Sequence, residues 1–331
     1  TFKGVLEGMG VNPTTSWNWG FGVGALGMFF GIIQYRLGWK HFGDAGIHAS
    51  VAPDSTEGQA ARRQLAIGVL ALVGLAGSVA ILVRQGVLSV EAVTSAFSWV
   101  YLIVVIAFFT WLFMAGQWTK EERKRLIVIV VLFAGAAVFW SAFEQAASTL
   151  NLFAAQNTRN SIFGWTFPSS WFQSVNALMI IIFAPVFAWI WISLGKRDPS
   201  SPAKFAFGLV SVGLGFVVMV GAAQASANGV LVSPMWLVLT YLLHTIGELS
   251  LSPVGLSSMT KLAPDRVKGM MMGVWFLAAS VGNLIAGGVL RFYADFTLPQ
   301  VFGAVAAFAI IAGLVMFALV LPIKRMMART D

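Results

Sequence analysis

Nine apolar runs recur along the chain, at 17–35, 65–83, 95–115, 126–150, 171–194, 205–223, 235–256, 270–290 and 301–321. A helix needs about 20 mostly apolar residues to cross the hydrocarbon core of a bilayer, and these runs match that length. In lipid only helices and closed barrels satisfy every backbone polar group. The runs lack the strict alternation of barrel strands, so the expectation is an all-α polytopic membrane protein with nine transmembrane helices. Composition agrees, with 58% hydrophobic and 10% charged residues. The absence of cysteine removes disulfides and thiolate metal sites from consideration. No metal site and no cofactor are expected.

A net charge of +8 would suit a nucleic-acid partner, but the cations follow membrane topology instead. Of 21 Lys and Arg residues, 17 fall in the loops and ends on one side, around 36–63, 120–125, 196–204, 261–268 and 324–329. Only Lys3, Arg84, Arg159 and Arg291 lie on the other side. By the positive-inside rule the C-terminus is cytoplasmic and Thr1 is outside. No nucleic acid is expected as partner, only the bilayer. The chain begins at Thr1 rather than Met, and is read as the later part of a longer protein.

The first run carries Gly20, Gly22, Gly24, Gly27 and Gly31, a small-residue face for close helix packing. Residues 36–62 read as a cytoplasmic linker. The two runs that follow contain no ionisable group and form an accessory hairpin. In the last six runs, the 151–170 loop is expected to pack over the outer mouth, 205–223 is scaffold, and 301–321 is peripheral.

Two carboxylates stand inside apolar runs, Glu144 and Glu248. An ionised side chain in hydrocarbon is costly, so such residues serve function by default. The stretch 242–261 joins Glu248 to glycines and to Pro253, which cannot donate to the Leu249 carbonyl. A helix break at that point, lining a cavity for something polar, is the expectation. His244 lies one turn before Glu248 and is a candidate proton relay, a packed neutral imidazole being the alternative. Glu144 follows Trp140 by one turn and precedes Gln145. No Lys or Arg lies inside a span to pair with it, so it is either protonated or paired outside this chain. Asn176 reads as interhelical glue or as a ligand contact. Trp275 and Phe276 are core packing or an apolar pocket wall.

The segments FWSAFEQAASTLNLF, GELSLSPVGLSSMTKLAP and MMMGVWFLAASVGNLIAG resemble the proton-dependent oligopeptide transporter family of the major facilitator superfamily, in its bacterial form. The resemblance implies that 1–36 is the last helix of an N-terminal bundle. It likewise implies that 37–125 is a cytoplasmic linker with two accessory transmembrane helices, and 126–331 a C-terminal six-helix bundle with a basic tail. It implies proton-coupled symport of di- and tripeptides by alternating access, driven by the proton gradient, in a monomeric multi-pass protein of the bacterial inner membrane. Glu144 resembles the family's proton-binding acid, Glu248 the acid that receives the peptide amino terminus, and Asn176 the asparagine that holds peptide backbone. Trp140, Trp275 and Phe276 are similar to side-chain pocket walls, Ser252 is a further substrate-binding candidate, and 251–272 resembles the inner gate. The helices that would bear the family's cations have no counterpart here, so the chain by itself is expected not to transport. The alternatives are a secondary transporter of another solute (an amino acid, a drug or nitrate), a membrane enzyme, for which no catalytic motif is present, and a non-transporting receptor.

Overall fold

The computed structural model describes residues 9–41, 55–114, 116–162 and 164–327. Among these, nine helical segments are long and apolar enough to cross a membrane. The chain divides into two compact units, Thr1–Ile103 and Val104–Asp331.

The first unit holds α1 (Pro13–Gly38), α2 (Thr56–Arg84) and the first part of α3 (Val90–Met114). Ser55 caps α2 by accepting from the Gly58 amide at 3.0 Å. Within the first unit, a Cβ at Gly22, Gly24, Gly27 or Gly31 of α1 would have no neighbour within 4 Å among the described residues.

The second unit begins with the end of α3, where Phe109 lies edge-on to Phe133 at 4.8 Å. Its other helices are α4 (Lys120–Phe143), α5 (Thr149–Gln156), α6 (Phe172–Leu194), α7 (Ser201–Ala225), α8 (Met235–Leu262), α9 (Met271–Asp295) and α10 (Leu298–Met327). Thr119 and Glu122 form a reciprocal capping box that starts α4. A two-residue hairpin, β1 (Ser161–Ile162) with β2 (Trp165–Thr166), sits between α5 and α6.

Helices α4 and α7 are the most enclosed, and the backbones around them touch where side chains are smallest. In lipid, such contact is a main route to helix association. Between α7 and α8, a Cβ at Gly208 would lie 2.9 Å from the Gly247 carbonyl, and one at Gly247 would lie 2.8 Å from the Gly208 carbonyl. Gly213 and Gly313 make the equivalent approach between α7 and α10, against Ile310 and Val210. Helices α4 and α9 cross at Gly282, where a Cβ would fall 2.8 Å from the Ser141 nitrogen. α10 therefore buries one stripe, including Phe302, Ala306 and Ala309, while Ile311 and Leu314 face outward.

Two expectations about helix breaks are reversed. α8 runs unbroken through Pro253, which is exposed; one missing backbone bond on an open helix face can be absorbed without ending the helix. The 126–150 run, expected as one helix, is interrupted. α4 stops at Phe143, a 3-10 turn covers Glu144–Ala147, and Ser148 adopts φ −119°, ψ −96° before α5 begins. The polar residues Gln145, Ser148 and Thr149 offer side-chain hydrogen bonds that compete with the helical ladder.

The glycine crossing beside Glu248 gives a direct check. Gly247→Ala and Gly208→Ala are each expected to lower thermal stability by about 1–3 kcal/mol, because a Cβ meets a carbonyl that cannot yield. Gly303→Ala, whose Cβ would sit 3.9 Å from Val220, is expected to change it by no more than about 0.5 kcal/mol. Thermal unfolding of the purified full-length protein in detergent measures all three.

Candidate functional site

The interruption after α4 places Glu144 at a helix end, half-buried, on the wall of a cavity of about 120 Å³. Phe143, Ala146 and Ala147 line the same wall, with Gln173 and Asn176 from α6 and Tyr241 and His244 from α8. Three of the residues singled out from the sequence, Glu144, Asn176 and His244, thus share one hollow.

Glu248 joins them through Asn176. The Asn176 amide nitrogen donates to Glu248 Oε2 at 3.1 Å and to Thr245 Oγ1 at 3.0 Å, linking α6 to α8. Thr245 in turn donates to the Tyr241 carbonyl at 2.8 Å. A half-buried carboxyl group that accepts one bond from a neutral amide keeps acceptor capacity for a further donor.

His244 is fully buried among rings, with centroids 5.2 Å from Phe216 and 6.1 Å from Phe143, and its edge lies against Gly215. Among the described residues, neither ring nitrogen makes a well-formed hydrogen bond; the Val212 backbone is its polar neighbour on α7. No hydrogen bond connects it to Glu248. On the next turns, Trp140 packs edge-on to Phe143 at 5.2 Å, and its Nε1 is buried without a hydrogen-bond partner among the described residues. Ser252 Oγ is likewise buried and unpaired.

Trp275 and Phe276 do not share a wall. Consecutive helical positions are about 100° apart. Trp275 is 5% exposed, edge-on to Phe205 at 6.4 Å and pressed against Gly255, whereas Phe276 is 60% exposed on the outside of the chain.

Sequence reasoning passed over Thr245, Tyr241 and Gln173. The signal was available: 241, 244, 245 and 248 fall on one face of α8, and 173 precedes 176 by one turn on α6. It also gave no role to Gln145, which is completely buried beside Glu144. Gln145 Nε2 donates to the Ser141 carbonyl at 3.2 Å and to the Ala286 carbonyl of α9 at 3.4 Å. Its Oε1 accepts from Thr149 Oγ1 at 3.0 Å and from Ser148 Oγ at 3.2 Å.

Removing the α6–α8 bridge tests its strength. Asn176→Leu, which leaves Glu248 facing an apolar side chain, is expected to cost about 1–3 kcal/mol of thermal stability, and Thr245→Val less, since Glu248 keeps its amide donor.

The POT family model matches residues 4–319. The chain is 40% identical over 329 residues to the peptide transporter YePEPT of Yersinia enterocolitica, covering 96% of this chain and 64% of the relative. It is 31% identical over 327 residues to a di-/tripeptide transporter of Lactococcus lactis, covering 97% and 64%. Among solved structures, the peptide transporter POT in complex with sulfate superposes with TM-score 0.79 at 36% identity, over 94% of this chain and 62% of that one. The chain therefore spans a little under two-thirds of the length of these relatives. The fold class read from the sequence, an all-α multi-pass membrane protein of major facilitator architecture, is the one found. This chain belongs to the POT family.

Proposed function

We propose that the protein carrying this chain is a proton-coupled symporter of di- and tripeptides that works by alternating access. The observation that carries this reading is one carboxyl group, Glu144, on the wall of a small cavity whose lining residue Asn176 is hydrogen-bonded to a second, Glu248, on another helix. The names of the relatives, a peptide transporter and a di-/tripeptide transporter, supply the substrate class.

In this scheme Glu144 is the proton site. Its position at a helix end lets it meet a cation from outside this chain, and among the described residues no Lys or Arg lines its cavity. Protonation removes that attraction, and the two halves of the transporter rock about the cargo. Glu248 stays ionised to receive the amino terminus of the peptide, and Asn176 exchanges its bond to Glu248 for one to peptide backbone. Trp140, with its indole N–H, and Ser252, with its hydroxyl, both unpaired among the described residues, are taken as further substrate contacts. Phe276, on the exposed face of α9, is taken as an apolar wall toward the half of the transporter outside this chain, and Trp275, packed against Gly255, as a separate one. His244 serves as a buried intermediate station if protons pass from Glu144 toward Glu248. The proton gradient is the sole energy source, and no cofactor enters.

Residues 1–36 are taken as the last helix of an N-terminal bundle, 37–125 as the linker with two accessory helices, and 126–331 as the C-terminal bundle. The protein is taken to be a monomer in the bacterial inner membrane with a cytoplasmic C-terminus, on the strength of the 17-to-4 division of basic residues.

The decisive experiment uses the full-length protein in proteoliposomes. Glu144→Gln is expected to abolish proton-driven accumulation of dialanine while sparing counterflow exchange. Glu248→Gln is expected to reduce both by about tenfold or more through loss of the ammonium contact. Uphill uptake that survives Glu144→Gln rejects the proton role. Competition by an amino acid, a drug or nitrate but not by peptides rejects the substrate class.

A further inference from the structure

We propose that Gln145 is a positioning residue for Glu144: its side-chain amide holds the helix interruption open against the α9 backbone, and so aims the neighbouring carboxylate into the shared cavity. The inference rests on the reading of Glu144 as the proton site.

In lipid a broken helix must return its freed backbone groups to some partner. Here the Gln145 side chain takes up one of them, the Ser141 carbonyl, and binds the turn to its neighbours. The bond from Gln145 Nε2 to the Ser141 carbonyl spans four residues, so it copies in side-chain form a rung of the helical ladder. The bonds that its Oε1 accepts from Ser148 and Thr149 tie down the first residues beyond the break. The bond to the Ala286 carbonyl anchors the whole turn to α9. That anchor lies one turn from the crossing where Gly282 of α9 meets the Ser141 backbone, so it adds to a close backbone contact between α4 and α9. Gln145 is completely buried and Glu144 half-buried. Residues next to each other on a turn point in different directions, so fixing Gln145 toward α9 fixes Glu144 toward the cavity that α6 and α8 complete.

The titratable groups on that cavity besides Glu144 are Tyr241 and His244 of α8, with Glu248 a turn further along. α6 brings the neutral Gln173 and Asn176, and among the described residues α7, α9 and α10 bring no ionisable side chain to the lining. The environment of Glu144 is thus set by where the turn holds it rather than by an ion pair within this chain.

The test reads Glu144 directly, without requiring transport. The full-length protein in detergent is treated with a hydrophobic carbodiimide, which attacks protonated intramembrane carboxyls, and the label on Glu144 is quantified by mass spectrometry across pH. Gln145→Leu is expected to displace the labelling midpoint by about half a pH unit or more. It is also expected to speed amide hydrogen exchange across 144–152 by about tenfold or more, while α7 exchanges as before. Ser148→Ala with Thr149→Val, which strips the two donors from Oε1 and leaves Gln145 itself in place, is expected to move both readouts the same way by a smaller amount; this pair carries the test if Gln145→Leu does not fold. Unchanged midpoint and exchange overturn the proposal. Faster exchange with an unmoved midpoint also overturns it, since Gln145 is then only structural. Should the wild-type protein fail to accumulate peptide under a proton gradient, the transport reading falls, yet the labelling midpoint still decides whether Gln145 positions Glu144.

Discussion

The hydrocarbon interior has no water to take up a free backbone group, and that constraint shapes every departure from regular helix here. The interruption between α4 and α5 exists because one buried amide can meet four partners at once. At Gly208 and Gly247, α7 and α8 approach until each glycine lies against the other's carbonyl. The first arrangement turns Glu144 inward; the second seats the Gly247 face of α8 on α7, and the next residue, Glu248, turns to Asn176 of α6. Glu144 reaches the cavity, and Glu248 comes within reach of its lining residue Asn176, in helices arranged by how main chain is satisfied or approached.

The chemistry of the cavity is asymmetric. Its ionisable lining consists of a carboxylate, a phenol and an imidazole, and the second carboxylate stands behind a carboxamide. Acceptors outnumber cationic donors, which is the complement of an ammonium group or a proton. The basic residues of the chain lie elsewhere. Lys204, for instance, pairs with Asp198 at 2.7 Å and lies over the face of Trp191 at 4.3 Å, fastening the α6–α7 turn. Arg266 covers Trp118 at 4.5 Å and donates to the Gln117 carbonyl, tying the entry of α4 to the α8–α9 turn. These cations fasten connections between helices and leave the acids of the cavity without a cationic partner among the described residues.

Much of the site is legible in the residue order, because membrane insertion makes polar residues conspicuous. Glu144, Glu248, Asn176 and His244 stand out against an apolar background, and their convergence follows from helices packed side by side. Trp275 and Phe276 are less legible: adjacent letters look like a pair, but a helix sends one into the core and the other outward. Pro253 and Gln145 show the same limit from the other direction. Proline is the known breaker, yet α8 absorbs it, while the actual interruption comes at glutamine, alanine, serine and threonine, none of which forces it locally. It depends on the Ala286 carbonyl 141 positions away, which no local window contains.

The residue order alone determined the all-helical membrane class, the number of candidate spans and the identity of the chemically costly side chains, since hydropathy and charge are properties each residue carries with it. Which of those side chains face one another, where a helix ends inside the span, and which amide holds the end in place were decided only by the packed structure. Such outcomes depend on acceptors and close approaches supplied by other helices, and the energy of a hydrogen bond or a backbone crossing belongs to the pair of groups that make it.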